Sequence, residues 1–170
     1  QSNIYILSLD YPRPSGGIRK LYRHVDILNK HGFSAAIVHE TPGFKCTWFE
    51  NQTKIIYAEN IVWKSSDYLV IPEMSVPTIS DKFPSTKNFI IYNQNAYYSF
   101  FYYSIDKDNL NTMYNHPNLR GVLVISDDIQ SYLNYVFPQL NIFRLHYSID
   151  SNLFSYHPQK KKQIAFMPRK

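Results

Sequence analysis

Ile4–Leu9 is a short apolar run closed by the turn-rich segment DYPRPSGG. A run of that length bounded by breakers reads as a buried strand. From Ile18 the period changes. Ile18, Leu21, Val25 and Leu28 recur at steps of three and four, which lays one apolar stripe along a helix. Lys30 and His31 fall in its last turn and Gly32 follows, an ordinary helix ending. Ala35–Val38 is a second buried strand. Strand, helix and strand within about 40 residues make a βαβ unit, and such units close right-handed into a parallel sheet.

The alternation continues less sharply. Thr41–Gln52 reads as a loop, and Ile55–Tyr57, Tyr68–Ile71 and Phe89–Tyr92 read as short strands. The region 93–120 is ambiguous and allows at most a helix around Asp106–Tyr114. Gly121–Ile125 is a strand, after which Ser126 caps a helix whose first turn holds Asp127 and Asp128, where acids suit the positive end of the dipole. Ile129, Leu133 and Val136 form its inner face, and Pro138 lies beyond its end. Ile142–Leu145 and Gln163–Met167 complete the strands. The expected fold is α/β: a Rossmann-like, doubly wound, mainly parallel sheet flanked by helices.

Composition fits that fold. Of 170 residues, 44% are hydrophobic and 18% charged, a globular balance rather than a disordered or fibrous one. No apolar run approaches the roughly 18 residues that cross a bilayer, and no signal-peptide pattern opens the chain. The first residue is Gln1 rather than Met, read as processing or trimming. The single cysteine, Cys46, leaves no partner for an internal disulfide and no cysteine-built zinc site, so a cytoplasmic setting is expected. The net charge of +5 would suggest nucleic acid if it lay on one face. It does not. Lys160, Lys161, Lys162, Arg169 and Lys170 carry five positive charges within the last eleven residues, so residues 1–159 are formally neutral. The basic character reads as that of a solvated linker.

Candidate chemistry begins at Gly16 and Gly17, two of only five glycines in the chain. They sit at the carboxyl end of the first strand, where ligands bind in open α/β sheets. Glycine allows unusual backbone angles and close approach to the main chain, and the following helix offers unpaired N–H groups. A phosphate or other anion would suit this place; a tight turn alone is the plainer account. Neither G-x-G-x-x-G nor a P-loop lysine pattern is present. Asn93, Gln94 and Asn95 follow the Phe89–Tyr92 strand, where amides could meet sugar hydroxyls or could serve only the loop. Glu73 ends another strand and reads as either a cleft group or a solvated carboxylate. The stretch YNQNAYYSFFYY, with Tyr97 within it, offers aromatic faces for the core, for an acceptor or for bases. The six histidines show no metal-ligand spacing; His39 follows a strand and reads as a cleft group or as a surface or satisfied histidine, and Cys46 as inert.

SLDYPRPSGGIRKLYRHVDILNKHGFSAAIV resembles the opening of the two-domain GT-B glycosyltransferases, especially the retaining group with a glycine loop before the first helix (glycosyltransferase family 4, or "group 1"). VISDDIQSYLNYVF and NIFRLHYSIDSNLF are similar to the last strand and helix of that family's N-terminal domain and its following "nGvD…F" segment. Tyr147–Ser148–Ile149–Asp150 stands in place of asparagine–glycine–valine–aspartate, with Phe154 as the trailing aromatic. QIAFMPRK resembles the first strand of the second domain. The resemblance spans nearly the whole chain, but only its two ends are specific; residues 40–115 match by position and pattern. It implies residues 1–158 as an acceptor-side domain and 159–170 as a basic linker entering a nucleotide-binding domain. The activity implied is transfer of a sugar from a nucleotide-sugar donor to a carbohydrate or other acceptor, with residues 1–170 inactive by themselves. Gly16, Gly17 and Ile18 would face the donor diphosphate. Asn93, Gln94, Asn95, Tyr97 and Glu73 would line the acceptor cleft. Arg169 and Lys170 would lie near the family's phosphate-binding basic positions, although Pro168 stands where glycine is usual and the family's frequent histidine is missing from the 93–95 loop. No cofactor and no metal are implied, no aspartate–x–aspartate motif is present, and membrane contact, if any, would be peripheral.

Two other classes remain open. A self-contained Rossmann-like module could hold a phosphorylated small molecule at Gly16–Gly17. Single-stranded nucleic acid could bind the aromatics, but it would need a basic groove that a neutral 1–159 does not promise.

Overall fold

The computed structural model describes residues 1–101, 112–149, 151, 154–164 and 166. The strands are β1 (Asn3–Leu7), β2 (Ser34–His39), β3 (Ile55–Tyr57), β4 (Tyr68–Pro72), β5 (Phe89–Asn93), β6 (Leu119–Val124) and β7 (Ile142–Arg144). They form one seven-stranded sheet in the order β3-β2-β1-β4-β5-β6-β7, and every pairing is parallel. The fold is therefore the expected Rossmann-like α/β fold. The direction of winding reverses between β1 and β4, so a crevice opens at the carboxyl ends of those two strands.

Alternation along β1 assigns the two faces. Tyr5 and Leu7 join a core with Leu69, Ile91 and Val122, covered by α3 (Asp127–Val136) and by α2 (Ile79–Lys82) with the 3-10 segment Glu73–Thr78 before it. On this face Tyr114 stacks on Phe137 with centroids 5.1 Å apart. Ile6 points the other way, into a second core with Ile37 and Val70 under α1 (Gly16–Lys30). Ile18, Leu21 and Val25 of the expected stripe are buried there, joined by Tyr22. The 40–54 loop has no regular structure, yet it sends Phe44, Cys46, Trp48 and Phe49 to the same core.

Local signals explain the ends of the helices. Ser126 Oγ accepts from the Ile129 N–H at 3.2 Å, and Gly32 takes φ 83 just past the end of α1, the left-handed conformation that closes a helix cheaply. Between Phe89 and Ile90 the register against β6 skips Arg120. This bulge turns Arg120 outward to donate from Nε to Asn88 Oδ1 at 2.9 Å.

Three expectations change. The first helix begins at Gly16, not near Ile18, so the glycines are its first turn rather than a loop before it. Of the expected helix over Asp106–Tyr114, residues 106–111 lie outside the described residues, and Met113–Asn115 is a single 3-10 turn. Gln163, Ile164 and Phe166 lie in no strand, and Ile164 is 97% exposed. An apolar run becomes a strand only with a neighbour to hydrogen-bond, and no described strand adjoins it. Among the described residues, no helix is long and apolar enough to cross a membrane.

Candidate functional site

A cleft of about 950 Å³ opens where the winding reverses. Leu9 and Tyr11 wall it after β1, Met74 after β4, Tyr98 after β5, and Ile125 and Tyr147 after β6 and β7. Its floor on one side is the first turn of α1. Ser15 is the N-cap: its carbonyl accepts from Arg19 N–H at 3.1 Å and its Oγ from Ile18 N–H at 3.5 Å. The Gly16 and Gly17 N–H groups precede Arg19, the first intrahelical donor, and have no acceptor within the helix. A Cβ on Gly16 would meet nothing within 4 Å, so this end of the helix stays open to the cleft. Neither glycine has a positive φ. Their use here is therefore small size, not unusual backbone angles.

Gly17 has a specific neighbour. A Cβ there would lie 3.0 Å from Gln94 Oε1, so the absent side chain makes room for the Gln94 amide beside the helix end. The Gln94 N–H in turn donates to Glu73 Oε2 at 3.1 Å. Glu73 is 5% exposed while lining the cleft, so the solvated-carboxylate reading is corrected: β4 delivers it into the crevice, out of bulk water. Burial pushes its carboxyl above the ordinary range, against the backbone N–H groups that favour the ionised form. A phosphate-sized anion at the helix end and a hydroxyl at Glu73 would each meet a matching partner. Lys20 lines the same cleft, with Nζ 4.2 Å from the centroid of the Tyr147 ring.

The other candidates separate. Gly16, Gly17, Ile18, Glu73, Gln94 and Asn95 all line this one cleft. Asn93 does not. It is fully buried; its Nδ2 donates to Ser99 Oγ at 2.7 Å and Tyr114 OH at 2.9 Å, and its Oδ1 accepts from Asn95 N–H at 3.1 Å. Its place in an acceptor cleft is withdrawn, because β5 continues through it and turns its side chain inward. Asn95 caps the following 3-10 turn by accepting from Tyr97 N–H at 3.1 Å, while Tyr97 itself is 89% exposed and outside the cleft lining. The aromatic stretch divides likewise: Tyr92 and Phe100 join the cores, and Tyr98 walls the cleft. Asp150, Arg169 and Lys170 lie outside the described residues.

Polar contacts between residues distant in the chain shape the walls. Asp10 Oδ1 accepts from His39 Nδ1 at 2.7 Å and Oδ2 from Thr41 N–H at 2.7 Å, which ties the β1 exit to the end of β2. With Nδ1 protonated, His39 Nε2 accepts from the Tyr22 hydroxyl at 2.5 Å. His39 is thus a satisfied, fully buried residue, held below its ordinary value by burial against the opposing pull of Asp10. For Asp10 partial burial acts upward, and the bonds from Thr41 and His39 outweigh it, leaving the carboxyl below its ordinary value. On the far side, the Tyr92 and Tyr147 hydroxyls bond each other, and His24 Nε2 meets Tyr92 OH at 3.2 Å. Burial pushes both phenols up. Lys20 and Tyr147 could have been found: one lies on the helix turn after Gly17, the other just past the last strand. Among the described residues no group of three His, Cys, Asp or Glu could hold a metal ion.

No protein-family model, curated protein or solved structure matches the chain.

Proposed function

We propose that this chain is the acceptor-side domain of a glycosyltransferase that moves a sugar from a nucleotide-sugar donor to a carbohydrate or other acceptor. The observation that carries the reading is the joining of Gly16, Gly17, Gln94 and Glu73 in one cleft at the winding reversal. The bare amino end of α1 suits a diphosphate, through oriented N–H groups and the positive end of the helix dipole. Glu73 suits an acceptor hydroxyl: a buried carboxylate with a raised proton affinity can accept a hydrogen bond and take up a proton as the oxygen attacks. The resemblance of the chain's two ends to GT-B enzymes selects sugar transfer among the reactions such a cleft could serve. In that reading a second domain holds the nucleotide, and one wall of the reaction centre cannot supply the preorganised electrostatics that turnover needs.

The test is a titration of the isotope-labelled chain with a nucleoside diphosphate sugar, followed by amide chemical shifts. Shifts at Gly16, Gly17, Ile18 and Gln94, without turnover, are expected. Silence at those amides at millimolar ligand, or sugar transfer by these 170 residues at ordinary enzyme rates, overturns the proposal. A second reading, a self-contained module for a phosphorylated small molecule, is favoured by the size of the cleft, which falls within the roughly 300–1,000 Å³ typical of small-ligand sites. It expects micromolar binding of a simple sugar phosphate by this chain, where the transferase reading expects weak binding.

A further inference from the structure

The α1 face of the sheet carries a second depression, which adjoins the cleft at Lys20, Leu21 and Tyr147. A groove of about 220 Å³ runs beside α1, lined by Leu21, Ile27, Leu28, Val70, Leu123 and Leu145. A recess of about 70 Å³ adjoins it, sharing His24 and Ile27 and adding Lys20, Arg23 and His146. Among the described residues, neither is lined by a carboxylate. The trough is apolar along its length and basic at one end only. Lys20 and Arg23 lie close enough to disfavour protonation of His24, after burial itself, so two cations stand together there. Parallel sheets ordinarily bury both faces. Here Phe143 of β7 is 56% exposed and Ile27 of α1 is 44% exposed.

We infer that the groove and recess bind a single-chain amphiphile with a phosphate head, its chain along Leu123 and Leu145 and its head between Arg23, Lys20 and His146. Charge complementarity decides the head group: Lys20 and Arg23 both line the recess, and an anionic head supplies the counter-charge that a neutral or cationic head would not. Size decides the tail. The groove is smaller than the pockets that hold drug-sized ligands, and its apolar lining suits an unbranched chain. This inference does not depend on sugar transfer, since it is read by binding and at Ile27, Leu123 and Leu145, none of which lines the cleft.

The experiment is calorimetric titration of the chain with octyl phosphate below its micellar concentration, beside inorganic phosphate, octyl glucoside and anionic vesicles, with methyl shifts recorded at Ile27, Leu123 and Leu145. Octyl phosphate is expected to bind at least about tenfold more tightly than either half-ligand, with shifts at those methyls and a gain of roughly fourfold per added methylene while the chain stays in the groove. Ile27→Glu on the exposed rim is expected to abolish binding, and Arg23→Gln to remove the preference of phosphate over glucoside. If circular dichroism shows Ile27→Glu unfolded, Ile27→Ser replaces it, with a loss of about tenfold expected. Octyl phosphate binding no better than inorganic phosphate, an unchanged affinity in the folded Ile27 variant, or a response to vesicles alone overturns the inference.

Discussion

At the carboxyl end of β1, Asp10 gives both carboxylate oxygens to the protein, one to His39 and one to the Thr41 N–H. At the end of the neighbouring strand β4, Glu73 receives the Gln94 N–H on Oε2 while it lines the cleft. The two carboxylates leave adjacent strands, Asp10 partly buried and Glu73 buried, and their proton affinities move in opposite directions, Asp10 downward and Glu73 upward. Hydrogen bonds to the ionised form decide the first; burial decides the second. A strand-end carboxylate is therefore a structural pin or a candidate reactive group according to its hydrogen-bond partners and its burial together.

The comparison breaks most visibly at the pin. His39→Ala leaves the Tyr22 hydroxyl and one Asp10 oxygen without their buried partner, and a loss of about 3 kcal/mol is expected in denaturant unfolding. The same site sets an acid limit. Because folding holds His39 below its ordinary value of 6.5, the unfolded chain binds more protons, and stability falls as pH drops below that value. Asp10 adds a further loss as pH falls through its own depressed value. Unfolding measured across pH should show a smaller first loss in His39→Ala than in the parent, the remainder coming from His24, which burial also holds below its ordinary value.

Glu73 gives the opposite slope. Its folded carboxyl binds protons more tightly than the unfolded one, so its contribution is present below the ordinary value of 4.5 and is lost as pH rises from there through the folded value. Glu73→Gln removes the buried charge and keeps an acceptor for the Gln94 N–H. The variant should gain on the parent as pH rises above the ordinary value of 4.5, and a gap that closes with rising pH would contradict the assigned cause. Smallest is Gly17→Ala. Better helix propensity is offset by the 3.0 Å approach to Gln94 Oε1, so stability should stay within about 0.5 kcal/mol of the parent. The Gln94 side chain must move, and any ligand shift at the Gln94 amide should shrink with it.

Much of the scaffold could be read from the chain. The stripe Ile18–Leu21–Val25 and the acids after Ser126 are local signals with a direct geometric meaning, and the structure repeats them in α1 and α3. The site was less legible. Asn93 and Gln94 are neighbouring amides with the same chemistry in sequence, but the pleat sends one into the core and leaves the other beside Gly17. Asp10 and His39 carry no signal of each other across 29 positions of chain.

By itself the sequence determined the alternation of strands and helices, the placing of two small residues at the first crossover, and the helix caps, because these follow from interactions within a few residues. Only the tertiary structure decided that Glu73 is buried, that Asn93 is structural, and that Lys20, Gln94 and Tyr147 share one cleft. The physical reason is that burial and hydrogen-bond partnership depend on which strands lie side by side, and the sheet order joins β1 to β4 across more than 60 residues of chain.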